Sequence, residues 1–305
     1  MLDCRHRPGL FMTAHYRMGL VLVTLSAIAW SLGGLFTRVL TLDLWTMLLW
    51  RCLWGAIGMS ALAFLLEGGK ALSTFRAFFR RDAWPSWLFA GLNAFSIICF
   101  IASLRLTSVA HVSVIYAMLP FIVAGFAWAL IGERPGRSAI AASCAALVGV
   151  VLMVGFSRDG GLVGDGLAFV ITLFMAIGVV LARRFPDIPF LPAAIASTLI
   201  AALVCLPAAH PLVVTGHDML MLALFGVVNS AMGLGLFTLG ARYVPAVETA
   251  LIGALDAPLS PLWVWLVFSE SPDAVTIVGG LLVFVAVGLH LALSARRPAP
   301  ATLSC

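Results

Sequence analysis

Two stretches of sequence decide the fold: residues 105–135 read RLTSVAHVSVIYAMLPFIVAGFAWALIGERP, and residues 242–272 read RYVPAVETALIGALDAPLSPLWVWLVFSESP. A shift of 137 positions, the difference between 242 and 105, aligns a basic residue, a tryptophan, an acid and a proline. The aligned pairs are Arg105–Arg242, Trp128–Trp265, Glu133–Glu270 and Pro135–Pro272. Such matches at a single offset are rare in an apolar chain, so they indicate two copies of one unit.

The composition indicates a membrane protein. Of the 305 residues, 62% are hydrophobic and 10% are charged, whereas about 25% of a soluble domain is charged. So few charges do not cover the surface of a soluble protein of this size, and a bilayer accepts the apolar surface instead. The net charge of +5 does not predict a nucleic-acid partner, because the basic residues are spread over short segments between apolar runs.

Ten apolar runs are long enough to cross a bilayer, which requires about 20 residues. The predicted spans are 19–40, 44–66, 84–104, 109–131, 138–156, 164–182, 190–209, 219–240, 246–268 and 274–294. Short charged or proline-containing segments separate them, and the longest loop covers residues 68–83. The sequence therefore predicts an all-α integral membrane protein with ten transmembrane helices.

The duplication divides the ten spans into two repeats of five helices. The predicted organisation is a cytoplasmic N-terminal segment (1–18), the first repeat (19–156), an outer linker (157–163), the second repeat (164–294) and a cytoplasmic tail (295–305). Because five is an odd number, the second repeat enters the membrane from the opposite side. Inverted repeats of this kind suit a carrier whose central site opens to each side in turn.

The basic residues predict the orientation. With both termini in the cytoplasm, fourteen of the eighteen lysines and arginines lie in inner segments, three lie in outer segments, and Arg51 lies inside a span. This distribution follows the positive-inside rule. The predicted location is a cell membrane of the bacterial inner-membrane type, with several passes through the bilayer.

Several short motifs resemble one family of transporters. The motifs are Trp30 to Arg38, Arg51 to Ala56, Leu119-Pro120 with Gly132 to Pro135, Leu255 to Pro258, and Ser269 to Pro272. Their order and spacing resemble the EamA-type members of the drug/metabolite transporter superfamily over roughly residues 19–294. The second copy departs from the family pattern: it has Asp256-Ala257-Pro258 in place of Glu-Pro and Ser269-Glu270-Ser271 in place of Gly-Glu-Arg. The resemblance implies a carrier of small metabolites, amino acids among them and often exported, with no cofactor.

Two charged residues inside spans are candidates for function, because charges at membrane depth are costly and usually functional. Asp256 lies ten residues into the ninth span, which places it about 15 Å deep. It is either a carboxylate that binds a substrate amine or couples protons, or a member of a structural ion pair. Arg51, inside the second span, is either the ion-pair partner of Asp256 or a clamp for a substrate carboxylate, since a guanidinium offers two parallel donors.

Other polar residues and prolines complete the candidate set. The 137-residue shift relates His111 to Glu248, which makes them a symmetric gating pair or two residues that snorkel to the interface. Pro120, Pro258 and Pro261 are expected to kink their helices. The candidate substrate-binding residues, which are alternatively hydrogen-bonding contacts between helices, are Trp30, Ser31, Asn93, Ser96, Tyr116, Asn229 and Ser230.

Together these features predict a secondary transporter of a small metabolite, with export as the favoured direction. No GxxxxGK[ST] nucleotide motif is present, and neither is an HExxH metal motif, so we expect no catalytic residue, metal or cofactor. The expected partners are a small-molecule substrate and the lipid bilayer, and the oligomeric state stays open. The alternatives are a non-transporting receptor or channel-like subunit and, less favoured, a membrane-embedded enzyme.

Overall fold

The structure is a computed structural model that describes residues 8–107, 109–154, 161–185, 189–269 and 273–295. Within these ranges the regular structure is helical, with no β-strand. The first half of the chain forms α1 (Pro8–Ser31), α2 (Gly33–Val39), α3 (Leu44–Glu67), α4 (Ala71–Phe78), α5 (Trp84–Leu106), α6 (Val109–Tyr116), α7 (Leu119–Ile131) and α8 (Arg137–Val154).

The second half repeats this order with one irregular helix. It forms α9 (Leu162–Arg184), α10 (Phe190–Cys205), α11 (Gly216–Phe225), a π-helical stretch (Gly226–Gly235), α12 (Leu236–Gly240), α13 (Ala246–Gly253), α14 (Asp256–Phe268) and α15 (Ala274–Ala295). Short 3₁₀ turns cover Gly68–Lys70, Arg81–Ala83 and Leu206–Ala208. The architecture is therefore all-α.

Nine helical segments of the described chain are long and apolar enough to cross a membrane. They are His15–Val39, Leu44–Phe78, Arg81–Phe100, Val112–Ile131, Leu162–Arg184, Phe190–Ala208, Gly216–Gly240, Ala246–Phe268 and Ala274–Leu293. The fifth predicted span, 138–156, coincides with α8, whose apolar part Arg137–Met153 is shorter than the others. The all-α membrane fold is confirmed, and the count of ten stays a prediction in which α8 is the tenth span.

The predicted loop at residues 68–83 contains a helix that the sequence analysis missed. The helix α4 is amphipathic: Ala71 and Phe78 are buried, whereas Leu72 is exposed. Polar residues begin other helices near the membrane surface, where the first backbone N–H groups lack helical partners. The carboxylate of Asp43 accepts from the N–H of Thr46 at 3.0 Å at the start of α3.

The packing of the helices keeps much of its pattern when the two halves are exchanged. The helix α1 packs on the π-helical stretch and on α13 and α14, while its counterpart α9 packs on α5 and on α6 and α7. Two further pairs map onto themselves, α8 with α15 and α3 with α10. This pattern is the structural form of the duplication seen in the sequence, and it places the halves face to face.

The backbones of α8 and α15 approach each other closely. A Cβ atom on Gly149 would lie 2.7 Å from the carbonyl oxygen of Gly279 and 2.7 Å from a methyl group of Val283. Small residues permit such an approach, and in a membrane it is a principal source of helix association.

Three transmembrane helices are interrupted. The break between α1 and α2 falls at Leu32, and the other two fall between α6 and α7 and between α13 and α14. At the last two breaks the chain tightens into a three-residue hydrogen bond, from Met118 N to Ile115 O and from Leu255 N to Ile252 O, each 3.1 Å long. Proline follows closely in both cases: Pro120 is the second residue of α7 and Pro258 the third of α14, and Pro261 lies inside α14.

Candidate functional site

Polar side chains from four segments meet at the break between α1 and α2. We call these residues the central polar cluster. Its members are Trp30, Ser31, Arg51, Asn229, Asp256, Ser260 and Trp263. They come from α1, α3, the π-helical stretch and α14. The broken helix supplies backbone carbonyl groups to this cluster, as interrupted helices do in transporters.

Asp256 forms one end of the central polar cluster. The hydroxyl oxygen of Ser260 lies 3.4 Å from Asp256 Oδ1 and 3.0 Å from the carbonyl oxygen of Ser31. Since a serine hydroxyl carries one proton, it serves only one of these acceptors at a time. Trp263 Nε1 donates to Ser31 Oγ at 2.8 Å, and this bond joins α14 to the end of α1.

Arg51 forms the other end. Its Nη1 donates to Asn229 Oδ1 at 3.1 Å, and Asn229 Nδ2 in turn donates to the carbonyl oxygen of Trp30 at 3.5 Å. The guanidinium lies 5.4 Å from the centre of the Phe225 ring, a cation–π distance. Within the described chain, the buried Nε of Arg51 has no hydrogen-bond partner, so the guanidinium keeps a donor that a ligand can use.

The predicted ion pair between Asp256 and Arg51 is not formed in this structure. Each charge has a neutral partner in the described chain, Ser260 for Asp256 and Asn229 for Arg51. The prediction rested on similar depth, and depth does not fix the direction in which a side chain points around its helix. The two charges instead lie at opposite ends of one series of polar contacts across the α1–α2 break.

Aromatic side chains lie beside this series. The Trp30 ring packs on Phe237 with 5.0 Å between ring centres. Tyr116, the last residue of α6, contacts the sulfur of Met175 through its hydroxyl group. A polar site with aromatic and apolar walls is typical of small-molecule binding.

Three predicted site residues lie elsewhere. Asn93 Nδ2 donates to Ser197 Oγ at 2.7 Å and so joins α5 to α10. The Ser96 hydroxyl bonds the carbonyl of Leu92 in its own helix. Ser230 is buried against Gly55, where a Cβ atom would lie 2.6 Å from the serine hydroxyl. In this structure Asn93 and Ser230 lie in contacts between helices, which was the alternative stated for the whole set, while the Ser96 hydroxyl bonds within α5.

A second polar cluster closes the face where α1 begins and α15 ends; we call it the end-face cluster. Glu248 on α13 accepts a hydrogen bond from the Tyr16 hydroxyl at 2.7 Å and lies 3.3 Å from His290 Nε2. Glu133 accepts from the N–H of Ala246 at 3.1 Å and lies 3.5 Å from Arg183 Nε. These contacts tie together the ends of α1, α7, α9, α13 and α15. The predicted symmetric partner of Glu248, His111, lies on α6, and its side chain is outside the described residues.

Comparison with known sequences decides the family. The sequence profile of the EamA-like transporter family matches residues 17–155 and again residues 162–292. The chain belongs to the EamA-like transporter family. It is therefore a multi-pass membrane protein of a transporter family, in agreement with the resemblance described above.

Known members and structures resemble this EamA-like chain at different distances. It is 27% identical over 240 residues to the pseudopaline exporter CntI of Pseudomonas aeruginosa, in strain UCBPP-PA14 and also in strain PAO1. The alignment covers 76% of this chain and 81% of the relative. One protein of known crystal structure matches with a TM-score of 0.77 at 18% identity, over 93% of this chain and 99% of that one. The structural likeness shows the fold alone.

Two members of the central polar cluster were missed by the sequence analysis. Ser260 and Trp263 follow Asp256 by four and seven residues, so all three lie on one face of α14. That spacing was a usable signal in an otherwise apolar span. Within the described residues, no group of three or more histidine, cysteine or acidic side chains is arranged to hold a metal ion.

Proposed function

We propose that this protein is a secondary transporter that exports a small metabolite of the amino-acid class by alternating access. Membership of a transporter family supports transport, and the name of the Pseudomonas aeruginosa relative, a pseudopaline exporter, supports the direction. The proposal includes a bacterial inner membrane and cytoplasmic termini, because they agree with the distribution of lysine and arginine. It also takes the chain to be a carrier and not an enzyme.

The observation that carries this proposal is the pair of opposite charges at the two ends of the central polar cluster. Asp256 and Arg51 are both held inside the protein by neutral hydrogen-bond partners. Charges inside a membrane protein are costly and mark sites of function. A substrate that carries an ammonium and a carboxylate group matches the two ends, the ammonium at Asp256 and the carboxylate at Arg51.

Each residue of the cluster has a role in this proposal. The guanidinium of Arg51 offers its Nε donor, which lacks a partner in the described chain, and forms a charge-assisted bond with the substrate carboxylate. Asp256 accepts from the ammonium group, and Ser260 is then free to donate to the carbonyl of Ser31. Trp30 and Tyr116 form walls that exclude water. We assign the coupling role, if protons drive the cycle, to Asp256.

The end-face cluster is the second part of the mechanism. Its bonds join α13 of one repeat to α7 of the other through Glu133 and the N–H of Ala246. Opening the face at which α1 begins requires these bonds to break, whereas opening the opposite face leaves them intact. Alternating access in inverted repeats works by such a rearrangement of one bundle against the other.

The test measures transport of labelled amino acids and small metabolites in proteoliposomes, by uptake and by counterflow. The comparison is between the natural protein, Asp256→Asn and the matched control Asp82→Asn, whose exposed carboxylate pairs with Arg80 at the surface. We expect saturable flux, at least about 100-fold lower in Asp256→Asn because a charge-assisted bond and a coupling group are both lost, and unchanged in the control.

Two other outcomes separate the parts of the proposal. Flux that survives Asp256→Asn keeps the carrier but removes Asp256 from its mechanism. If no member of the panel moves in either direction, with folded protein and both pH gradients applied, the amino-acid class is wrong and a receptor or channel-like role gains weight.

A further inference from the structure

A cavity of about 300 Å³ lies at the end of α3, away from the central polar cluster. Its walls are Glu67 at the end of α3, Ser73, Thr74 and Ala77 of α4, the first residues of α10, and Arg242 after α12. The cavity is on the face closed by the end-face cluster, because Arg183 of that cluster donates to the carbonyl of Arg242 at 2.8 Å. Part of the cavity is open to the outside of the protein, so a ligand can reach it.

Glu67 is an unusual residue for this position. It is the last residue of α3, where the negative end of the helix dipole opposes a carboxylate. One carboxylate oxygen, Oε2, is buried and has no hydrogen-bond partner within the described chain. A buried carboxylate oxygen without a partner is costly, so this position is suited to a positively charged donor from outside the chain.

Two hydroxyl groups of α4 add further acceptors. Ser73 Oγ donates to the carbonyl of Lys70 at 2.6 Å, and Thr74 Oγ1 donates to the same carbonyl at 3.3 Å. Because their protons are used in these bonds, the two oxygens present lone pairs to the cavity. Together with Glu67 they form three acceptors, and a primary ammonium group has three donors.

The surroundings of the cavity connect it to the lipid. Phe64, Leu65 and Leu66, which precede Glu67, have exposed side chains, with Leu65 83% exposed. On a spanning helix such residues face the acyl chains. The amphipathic helix α4 lies at the point where α3 leaves the bilayer, as interfacial helices do, and Arg242 gives the cavity wall a positive charge suited to an anion.

From these features we propose that the cavity binds the headgroup of a phospholipid with a primary ammonium and a phosphate, that is, one of the ethanolamine type. The ammonium donates to Glu67, Ser73 and Thr74, and the phosphate lies towards Arg242. A choline headgroup has the same charges but no N–H donor, and a glycerol headgroup has no positive charge. The site therefore distinguishes the three lipids, and its existence does not depend on what the protein transports.

The experiment counts lipids retained by the full-length protein in native mass spectrometry after exposure to an equimolar mixture of phosphatidylethanolamine, phosphatidylcholine and phosphatidylglycerol. We expect the natural protein to retain one phosphatidylethanolamine in preference to the other two. Glu67→Gln keeps the shape but removes the charge, and we expect its preference to fall about tenfold, as for loss of one charge-assisted bond. The control Asp82→Asn removes an exposed carboxylate and retains the preference.

A second variant tests whether the lipid binds in this cavity without changing the charge of Glu67. Ala77 lines the cavity, so Ala77→Leu fills it without touching an ionisable group, and we expect the same loss of preference. Equal retention of the three lipids by the natural protein would overturn the proposal. So would a preference that persists in both variants, or displacement of the bound lipid by a transported amino acid, which would make the cavity an entry point for substrate.

Discussion

Two of the interrupted helices, α6–α7 in the first repeat and α13–α14 in the second, have the same geometry but different chemistry. All four boundaries are related by one shift: 109 and 246, 116 and 253, 119 and 256, and 131 and 268 each differ by 137. The three-residue hydrogen bonds at the two breaks are related by the same shift, with equal lengths of 3.1 Å. The break is therefore a property of the repeated unit.

The difference lies in the first turn after each break. In the first repeat, Leu119 begins α7 and is buried in the apolar core. In the second, Asp256 begins α14 and bonds Ser260. The fold therefore contains two equivalent breaks, and one of the two has a charged residue in the turn that follows it. In our proposal the substrate therefore binds off the symmetry axis, closer to the second break.

The largest effect is expected from placing a charge at the first break. Leu119→Asp buries a carboxylate among apolar residues with no partner, which destabilises the protein by more than about 3 kcal/mol. The measurement is thermal unfolding in detergent, with Leu119→Met as the control of similar volume. A Leu119→Asp protein as stable as the natural one would show that the first break accommodates a charge as well as the second does, and would contradict the chemical difference between them.

A smaller effect is expected from the prolines. Pro261 removes a backbone donor from the interior of α14, whereas Pro258 and Pro120 lie in the first turns of α14 and α7, where the N–H groups lack helical partners. The double substitution Pro258→Ala, Pro261→Ala allows a regular helix, and we expect flux in proteoliposomes to fall about tenfold because the hinge is stiffened. Pro120→Ala, in the break without a charge, is the matched control with a smaller loss. Equal losses in both would mean that the two breaks move alike.

The residues that end α7 and α14 test the cost of a left-handed backbone conformation, separately from side-chain packing. Gly132 and Ser269, again 137 residues apart, both have a left-handed conformation, with φ of 69° and 58°. A Cβ atom on Gly132 would meet nothing within 4 Å, so the cost of a side chain there is conformational. We expect Ser269→Gly to stabilise the protein by about 0.5–1 kcal/mol and Gly132→Ser to destabilise it similarly. Thermal unfolding of the two variants and of the double variant measures these changes in stability. Stabilisation by both substitutions, or destabilisation by both, would contradict the prediction.

The smallest effect is expected from the matched tryptophans. Trp128 and Trp265 are 60% and 43% exposed on the outer faces of α7 and α14, where they contact lipid. Substitution of either by leucine is expected to change stability by less than about 0.5 kcal/mol and to leave flux nearly unchanged. A large loss of flux in the Trp265→Leu protein alone would show that the asymmetry of the second repeat extends to its outer face.

The sequence predicted those features of the molecule that depend on residue types that are rare in an apolar chain. Charged residues, tryptophan and proline at one offset identified the repeat, and three other prolines, Pro120, Pro258 and Pro261, predicted the interruptions of the two matching helices. It did not predict which side chains meet. The spans are apolar on every side, so periodicity does not show which face points inwards, and Asn93 and Asn229, at similar depths, have partners in different parts of the bundle.

The helix α4 and the break at Leu32 were missed for different reasons. The helix α4 is short and lies in a segment with several charged residues, so it resembled a loop between spans. The break in α1 could not be predicted from a proline, because Leu32 lies between Ser31 and Gly33 in an ordinary apolar run. It is stabilised by partners distant in the chain, such as Ser260 and Asn229, which a single-sequence pattern does not reveal.

The contact between Gly149 and Gly279 has a consequence for the genetics of this protein. Every single-base change in a glycine codon that substitutes another amino acid introduces a larger side chain, and at this contact its Cβ atom would lie within 2.7 Å of the opposite backbone. Gly91 and Gly288 have nothing within 4 Å of the corresponding position. In a saturation-mutagenesis library selected for folded protein, we expect the codons of Gly149 and Gly279 to remain glycine while those of Gly91 and Gly288 vary.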